Sequence, residues 1–336
     1  MVESPQKDKK TKKEHWKIRL FKKLPLGLKV WIMARKLPTS FIVEATNICN
    51  HKCPMCPWHT IMKRKLEHMD FERFSQILSK IEKHAKAISF YLMGEPFLNK
   101  DIFKMIKACA ERGIKTHISS NTMLVGHYVD DILNSGLTSL QMVLDGFSPE
   151  THEKYRVGGK FNVVIENIKK ITAEKKRRGL KYPRLRVQTL VFKHNQHEIG
   201  KIVDFLKEIG VDEYAIKAPN MGRELDKTDK LISDFLPDDA YFQRLQNKDD
   251  SRYYKNMGFC PQFSQCSILA GGEVAPCCFD FDGKYSWGNV LEKTLEDVWK
   301  APKRLAFLRA YFKKKNPLCN SCDFVDEYAK SMFTNK

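Results

Sequence analysis

The sequence predicts an α/β fold built on a parallel sheet, and three observations carry that expectation. Short apolar runs alternate with helical runs six times between about residues 40 and 220, a pattern that requires helical crossovers and therefore parallel pairing. Helical runs stop at Gly113, Gly179 and Gly210, the residue type that closes a helix in a left-handed turn without strain. The residues richest in chemistry follow the strands directly, where ligands collect in such sheets. Chain order alone does not separate an open doubly wound sheet from a barrel.

Ser40–Thr46 is β-rich and runs straight into Asn47–Trp58. Phe71–Ile81 is helical by its period. Ala87–Leu92 is a short apolar strand ending in Met93-Gly94-Glu95-Pro96. Lys100–Arg112 is a helix, Lys115–Ser120 a strand followed by Asn121, and Tyr128–Asn134 a short helix. Ser139–Leu144 is a strand that ends at Asp145-Gly146. Asn162–Arg178 is a long basic helix, Leu185–Phe192 a strand, Glu198–Ile209 a helix and Glu213–Lys217 the sixth strand. The rhythm then stops. Pro219–Arg252 is polar and charged and reads as a linker, with some helix around Ala240–Gln246. Beyond Gly258, Gln265–Ala270 and Glu273–Pro276 read as a hairpin around Gly271-Gly272. Thr294–Lys313 reads as one amphipathic helix, with Pro317 after its end. The chain thus divides into a basic segment at 1–36, an α/β region at 37–220, a linker at 221–257 and a cysteine-rich region at 258–336.

Apolar residues make up 42% of the 336, and no apolar run approaches the length of a membrane span. The ten cysteines are clustered rather than evenly paired. In a chain of this size that points to metal binding in a reducing, cytoplasmic compartment rather than to a disulfide scaffold. The net charge is +19, and residues 1–36 hold twelve Lys or Arg against three Asp or Glu. Lys7–Lys13 reads as a solvated tail. His15–Lys36 interleaves Trp16, Leu20, Phe21, Leu28, Trp31 and Ile32 with cations, broken by Pro25 and Gly27. Three readings compete for it: a helix packed on the main domain, contact of residues 15–36 with an anionic membrane or lipid, and docking of an acidic partner. A secretory signal is not expected, because the apolar part is short, holds Lys29 and precedes no small-residue cleavage site. No recognised nucleic-acid motif accompanies the charge.

Asn47–Trp58 carries Cys49, Cys53 and Cys56 in a C-x3-C-x2-C spacing. Three thiolates on one short loop can hold three irons of a [4Fe-4S] cube and leave the fourth open, whereas such clusters usually have four cysteines. A zinc knuckle is the alternative, and would need a fourth ligand from elsewhere. Six further cysteines, Cys260, Cys266, Cys277, Cys278, Cys319 and Cys322, lie in the last eighty residues or so. A zinc ribbon would also suit the C-x2-C pair Cys319 and Cys322.

With the cysteine loop after the first strand, the sequence resembles radical S-adenosylmethionine (SAM) enzymes. The resemblance spans roughly residues 38–330. It implies a partial (β/α)6 TIM-like barrel with a small C-terminal cluster-binding domain. It also implies a [4Fe-4S] cluster held by Cys49, Cys53 and Cys56, with SAM chelating the open iron. Reductive cleavage of SAM then yields a 5′-deoxyadenosyl radical that abstracts a substrate hydrogen. Met93-Gly94-Glu95 stands where the family has Gly-Gly-Glu, so Gly94 and Glu95 are expected at the SAM amino group. Ser120 and Asn121 match ribose-contacting positions, against the plainer reading of a turn. Asp145 and Arg156 resemble residues lining the SAM pocket, where Arg156 could pair with the SAM carboxylate. Gln188 is a further, weaker match.

The C-terminal region resembles the SPASM/twitch extension, which binds an auxiliary [4Fe-4S] cluster. Cys260, eleven residues, Gly272, four residues and Cys277 fit its opening pattern, and Cys319 and Cys322 supply the remaining pair. Cys278 could replace Cys277, and Cys266 could be an extra ligand or a buried thiol. The resemblance implies a dehydrogenase-type oxidoreductase in which the second cluster accepts an electron. The expected substrate is a sugar-like or other small hydroxylated compound, because no separate peptide-recognition domain is visible. The alternatives are a maturase that oxidises or cross-links a ribosomal peptide or protein, and a non-enzymatic, zinc-stabilised basic binding protein. A flavodoxin- or ferredoxin-type donor is the expected redox partner. No catalytic residue is assigned; Glu44, Asp145 and His194 are the carboxylates and imidazole considered as proton acceptors.

Overall fold

A computed structural model describes residues 20–219, 230–238, 242 and 260–320. The tail at Lys7–Lys13, the helix expected around Ala240–Gln246, and Cys322 lie outside the described residues. Helix α1 (Leu26–Arg35) precedes β1 (Ser40–Val43). The alternating part then runs α2 (Phe71–Ile81), β2 (Ala87–Phe90), α3 (Ile102–Ala110), β3 (Lys115–Ser119), α4 (Val129–Asn134) and β4 (Ser139–Val143). It continues with α5 (Pro149–Tyr155), α6 (Phe161–Arg177), β5 (Arg184–Leu190), α7 (Ile199–Ile209) and β6 (Glu213–Lys217). Helix α8 (Lys230–Phe235) and the C-terminal elements β7 (Gln265–Ile268), β8 (Val274–Ala275), α9 (Leu295–Trp299) and α10 (Pro302–Phe312) follow.

The sheet order is β6-β5-β4-β3-β2-β1-β7-β8, and every pair is parallel except β7 with β8. From β1 to β6 the order never reverses. A doubly wound sheet reverses at its switch point, so the strands form an arc of a barrel. Its two ends, β6 and β8, do not meet. Alternation along each strand separates two faces. Phe41, Ile88, Phe90, Ile118, Leu140, Leu185 and Val187 belong to the main apolar core. Ser89, Ser119, Gln141 and Gln188 alternate with them, polar and half-buried. A closed barrel of this size fills its interior with branched apolar side chains; here the inner face is left polar and partly open.

The helices form where their caps and apolar stripes dictate. Asp70 accepts a hydrogen bond from the Arg73 N–H at 2.7 Å and starts α2. That helix then buries Phe74, Ile77, Leu78 and Ile81, each worth about 1.5–3 kcal/mol on full burial. Gly210 ends α7 at φ +74°.

The expected hairpin forms around Gly271-Gly272, with Gly272 at φ +92°. Its first strand is more than a local feature, because β7 pairs in parallel with β1 and sets Cys266 opposite Phe41. The single helix expected over Thr294–Lys313 is two helices. Thr294 caps the first, and Pro302, with no N–H to offer, sits in the first turn of the second.

Of the three readings of the N-terminal segment, a packed helix is what the described part of it forms, and it packs on the C-terminal region. The Trp299 indole N–H donates to Lys36 O at 2.9 Å, and the Phe21 and Phe312 rings lie 6.1 Å apart. Arg304 is fully buried between Trp299 and Trp287, its guanidinium 3.7 Å and 5.0 Å from their ring centres. It donates to Trp299 O, Met33 O and Phe263 O, so carbonyls and ring faces replace a carboxylate partner. Leu20, Leu28, Trp31 and Ile32 remain exposed on the outer side.

Candidate active site

The cysteine loop leaves β1 and is held at both ends. Asn47 donates from Nδ2 to Lys65 O and accepts from the Glu67 N–H, each at 2.7 Å. The Trp58 indole N–H donates to Asn47 O. In the middle, the Lys52 N–H donates to Val157 O at 2.8 Å, which joins the loop to the turn after α5.

The turn after β2 packs directly on this loop. Gly94 has φ +76°, and a Cβ there would stand 2.5 Å from Thr46 O and 2.8 Å from Ile48 O. Only glycine allows that approach. The next N–H, of Glu95, donates to Ile48 O at 2.8 Å. The Glu95 carboxylate is buried and accepts from the Asn121 N–H at 2.6 Å and the Phe97 N–H at 3.3 Å. Asn121 in turn donates from Nδ2 to Asn50 Oδ1 at 2.6 Å. The loops after β1, β2 and β3 thus close into one hydrogen-bonded ring. Burial pushes the Glu95 carboxyl up to about 7.

Arg156 approaches from the end of α5. Its Nε donates to Asp145 Oδ2 at 2.6 Å, and its Nη1 lies 3.8 Å from Cys53 Sγ. Asp145 is fully buried and also accepts from the Leu190 N–H at 2.6 Å. Burial opposes the charge on Arg156, but Asp145 and Cys53 beside it more than compensate.

A cavity of about 450 Å³ lies at this mouth. Cys49, Cys53, Cys56, Gly94, Glu95, Ser120, Asn121, Arg156 and Gln188 all line it. Asp145 does not; it stands behind Arg156 and aims it. The opposite wall comes from the C-terminal region, through Cys278, Phe279, Phe281 and Leu318. That wall is clamped to the cysteine loop's exit. The Asp282 carboxylate accepts the Lys63 and Arg64 N–H groups at 2.8 and 3.1 Å. The Arg64 side chain donates to Phe281 O and to Glu44.

The three groups considered as proton acceptors are otherwise engaged or displaced. Glu44 is fully buried and bound to Arg64, the Ala270 N–H and the Met93 N–H. Asp145 is committed to Arg156. His194 stacks on Phe192 at 5.4 Å, away from the cavity lining.

The donor chemistry fits an iron–sulfur cluster on the loop. Burial pushes the Cys49 thiol up to about 12 and raises Cys56 as well. Both are therefore thiols at neutral pH until a metal displaces their protons. Among the described residues no three His, Cys, Asp or Glu side chains converge on a single metal ion, whereas thiolates on separate irons of a cube stand further apart. His51, 1% exposed and part of the cavity lining, has no partner among the described residues for either ring nitrogen. Burial, with Arg156 nearby, lowers its imidazole to about 3, so a neutral ring with one unmet donor faces the place a cofactor would fill.

The second cysteine set is described in part. Cys260 and Cys277 are buried, Cys319 is half-buried, and Cys322 lies outside the described residues. Cys266 is a fully buried core thiol on β7, pushed up to about 12 by burial. Cys278, left over in the sequence reading, reaches the cavity. Sequence reasoning also missed His51, Tyr91, Tyr155 and Lys217 in the lining. All four carried a usable signal, since each lies on or directly beside a segment or residue already singled out.

Comparison with known proteins agrees with this geometry. The profile of the Radical SAM superfamily matches residues 43–206, and that of the SPASM iron–sulfur cluster-binding domain matches residues 260–323. A tungsten-containing aldehyde ferredoxin oxidoreductase cofactor-modifying protein of Pyrococcus furiosus is 26% identical, over 84% of this chain and 87% of that protein. A PqqA peptide cyclase of Methylorubrum populi is 23% identical, over 85% of this chain and 78% of that one. In fold, the chain is similar to Streptococcus suis SuiB bound to its precursor peptide SuiA. That match has a TM-score of 0.64 and 19% identity, over 96% of this chain and 76% of that one.

Two outcomes follow from the loop ring. Gly94→Ala destabilises the protein by about 2–4 kcal/mol in denaturant unfolding, through positive φ and backbone collision. Gly27→Ala, where a Cβ meets nothing within 4 Å, is neutral or slightly stabilising; equal effects would contradict the close approach. For Glu95, the folded state keeps its proton between the ordinary 4.5 and about 7 while the unfolded chain releases it. Its contribution to stability therefore falls as pH rises through that window. The stability of wild type relative to Glu95→Gln should fall over the same range, and a flat difference would refute the burial effect.

Proposed function

Because the chain belongs to the radical SAM superfamily and carries the cluster-binding C-terminal domain of its SPASM-type members, we propose that it is a maturase. On this reading it oxidises or cross-links a side chain of a ribosomally made peptide or protein. Members of this superfamily bind a [4Fe-4S] cluster and SAM, and the SPASM domain binds auxiliary iron–sulfur clusters. When bound, these groups supply hydrogen-atom abstraction and a place for the electron that the substrate loses.

We assign Cys49, Cys53 and Cys56 to the first cluster, and Cys260, Cys277, Cys319 and Cys322 to the auxiliary one. Gly94, Ser120 and Asn121 form the SAM-facing backbone and side-chain edge. Glu95 acts mainly by holding that edge to the cysteine loop, and Asp145 by orienting Arg156. The Arg156 guanidinium, next to Cys53, offsets the charge of the bound thiolates and can accept a carboxylate. The aromatic wall of Phe279 and Phe281 excludes water from the reacting centre.

The observation that carries the substrate class is the similarity to peptide-modifying relatives, and the cavity is compatible with it. Its 450 Å³ lies toward the low end for a ligand site, and it must accept both SAM and the reacting part of the substrate. A peptide can insert one side chain and leave its bulk outside. This reverses the preference for a sugar-like substrate reached from sequence, and the dehydrogenase-type outcome becomes one case of peptide oxidation. The similarity to a PqqA peptide cyclase and to the fold of peptide-bound SuiB supports the reversal. The zinc-stabilised binding protein finds no support in the family match.

No helix among the described residues is long and apolar enough to cross a membrane. A cytoplasmic setting with a flavodoxin- or ferredoxin-type donor suits this chemistry. Contact of residues 15–36 with anionic lipid would rest on the exposed Leu20, Leu28, Trp31 and Ile32 of the described part.

The reconstituted enzyme, given SAM, reductant and peptides encoded beside its gene, should remove two hydrogens from one of them, read as a mass change by mass spectrometry. Cys53→Ala should abolish SAM cleavage while keeping auxiliary-cluster iron. Turnover of hydroxylated sugars without any peptide change would overturn the substrate class, and SAM cleavage by Cys53→Ala would overturn the ligand assignment.

A further inference from the structure

The outer face of the cysteine loop has a composition that the site chemistry does not use. We propose that this face docks an acidic one-electron carrier protein, with Val157 at the centre and Lys52, Lys154 and Lys160 around it. The inference rests on the assignment of Cys49, Cys53 and Cys56 to a cluster.

The Lys52 N–H to Val157 O bond fuses two segments into one surface. Gly158, at φ +93°, lies so close that a Cβ would stand 3.0 Å from Asn50 O, so the turn sits flat on the loop. Asn50, Lys52, Lys154, Val157, Gly158 and Lys160 are all exposed, Val157 by 43%. Asn50 directly follows Cys49 and Lys52 directly precedes Cys53, so this surface is one residue from two proposed ligands. The inner side of the loop faces the cavity, whose opposite wall is made by Cys278, Phe279, Phe281 and Leu318. This face is therefore the outer covering of the loop segments that carry Cys49 and Cys53.

The charge pattern matches an acidic protein. Neither Lys52 nor Lys154 makes an ion pair among the described residues. Glu153, the acid within the patch, is half-buried and already accepts from the Phe161 N–H at 3.2 Å and Lys160 Nζ at 3.3 Å. The next acid along the helix, Glu150, stands at the far end of α5. An apolar centre with a cationic rim is the form in which complementary charge sets encounter rate and orientation. The carrier gives up one electron and the cluster gains one; no bond or proton changes hands at this surface.

The test uses the full-length reconstituted protein, with a reduced flavodoxin as probe. Two readouts are taken: flavodoxin affinity by titration calorimetry, and the initial rate of SAM cleavage driven by flavodoxin or by dithionite. Lys154→Glu should weaken flavodoxin binding and slow the flavodoxin-driven rate by about tenfold at low salt, with the difference shrinking as salt rises. The dithionite-driven rate should stay unchanged, and so should both readouts in Lys303→Glu, on α10. Unchanged flavodoxin binding in Lys154→Glu, an equal loss in Lys303→Glu, or an equal loss with both reductants would overturn the docking surface. If the wild type cleaves no SAM with either reductant, the functional reading fails, while the calorimetry still decides the surface.

Discussion

One buried ion pair sets the shape of the site. Glu44 directly follows β1 with no exposure to solvent, and Arg64 leaves the cysteine loop beside it. The Glu44 carboxylate also accepts from the Met93 and Ala270 N–H groups, so it ties the β2 turn and the C-terminal hairpin to the first strand. Arg64 extends the tie to Phe281 O. Removing one partner of such a pair strands a buried charge and typically costs about 3–5 kcal/mol. Here it would also release the wall that closes the cavity. The pair is thus a positional device, satisfied by backbone donors on every side, which is the condition under which a buried charge is tolerated.

The same logic recurs one layer inward. A cysteine loop with no regular structure is a poor ligand set unless its surroundings fix it, because sites need support from groups that are themselves locked. Glycine at 94 lets one backbone press on another. Glu95 and Asn121 then carry the constraint across to Asn50, and Arg156 carries it from α5 to Cys53. The raised Glu95 carboxyl is the thermodynamic cost of placing a carboxylate where no water reaches it. Parallel strands make this convergence possible, since their carboxyl ends all face one way.

Much of this was legible in the sequence, for local reasons. The cysteine spacing, Met93-Gly94-Glu95 and Ser120-Asn121 are short segments, and each lies directly after a strand whose apolar run is clear. The six strand–helix units followed from alternation. What sequence reading did not deliver is long-range pairing. Lys63 and Arg64 meet Asp282 across more than two hundred residues, and β7 joins β1 with no local mark of its destination. Cys278 beside Cys277 gave no hint of which thiol would turn to the cavity. The family resemblance put Asp145 in the lining, but its carboxylate turns to Arg156 instead. The helix break at Ala301-Pro302 did have a signal, the proline itself, and an apolar stripe across it hid the interruption.

The proposed ligand assignment places one cluster on Cys49, Cys53 and Cys56, with its open iron toward the cavity, and another on the C-terminal cysteines, out of reach of SAM. Electron paramagnetic resonance of the reduced, reconstituted protein titrated with SAM tests this most directly. The expected result is two cluster signals, of which one shifts on adding SAM and is missing in Cys53→Ala, while the other is unchanged by either. A single SAM-insensitive signal, or a colourless zinc protein after anaerobic reconstitution with iron and sulfide, would contradict it.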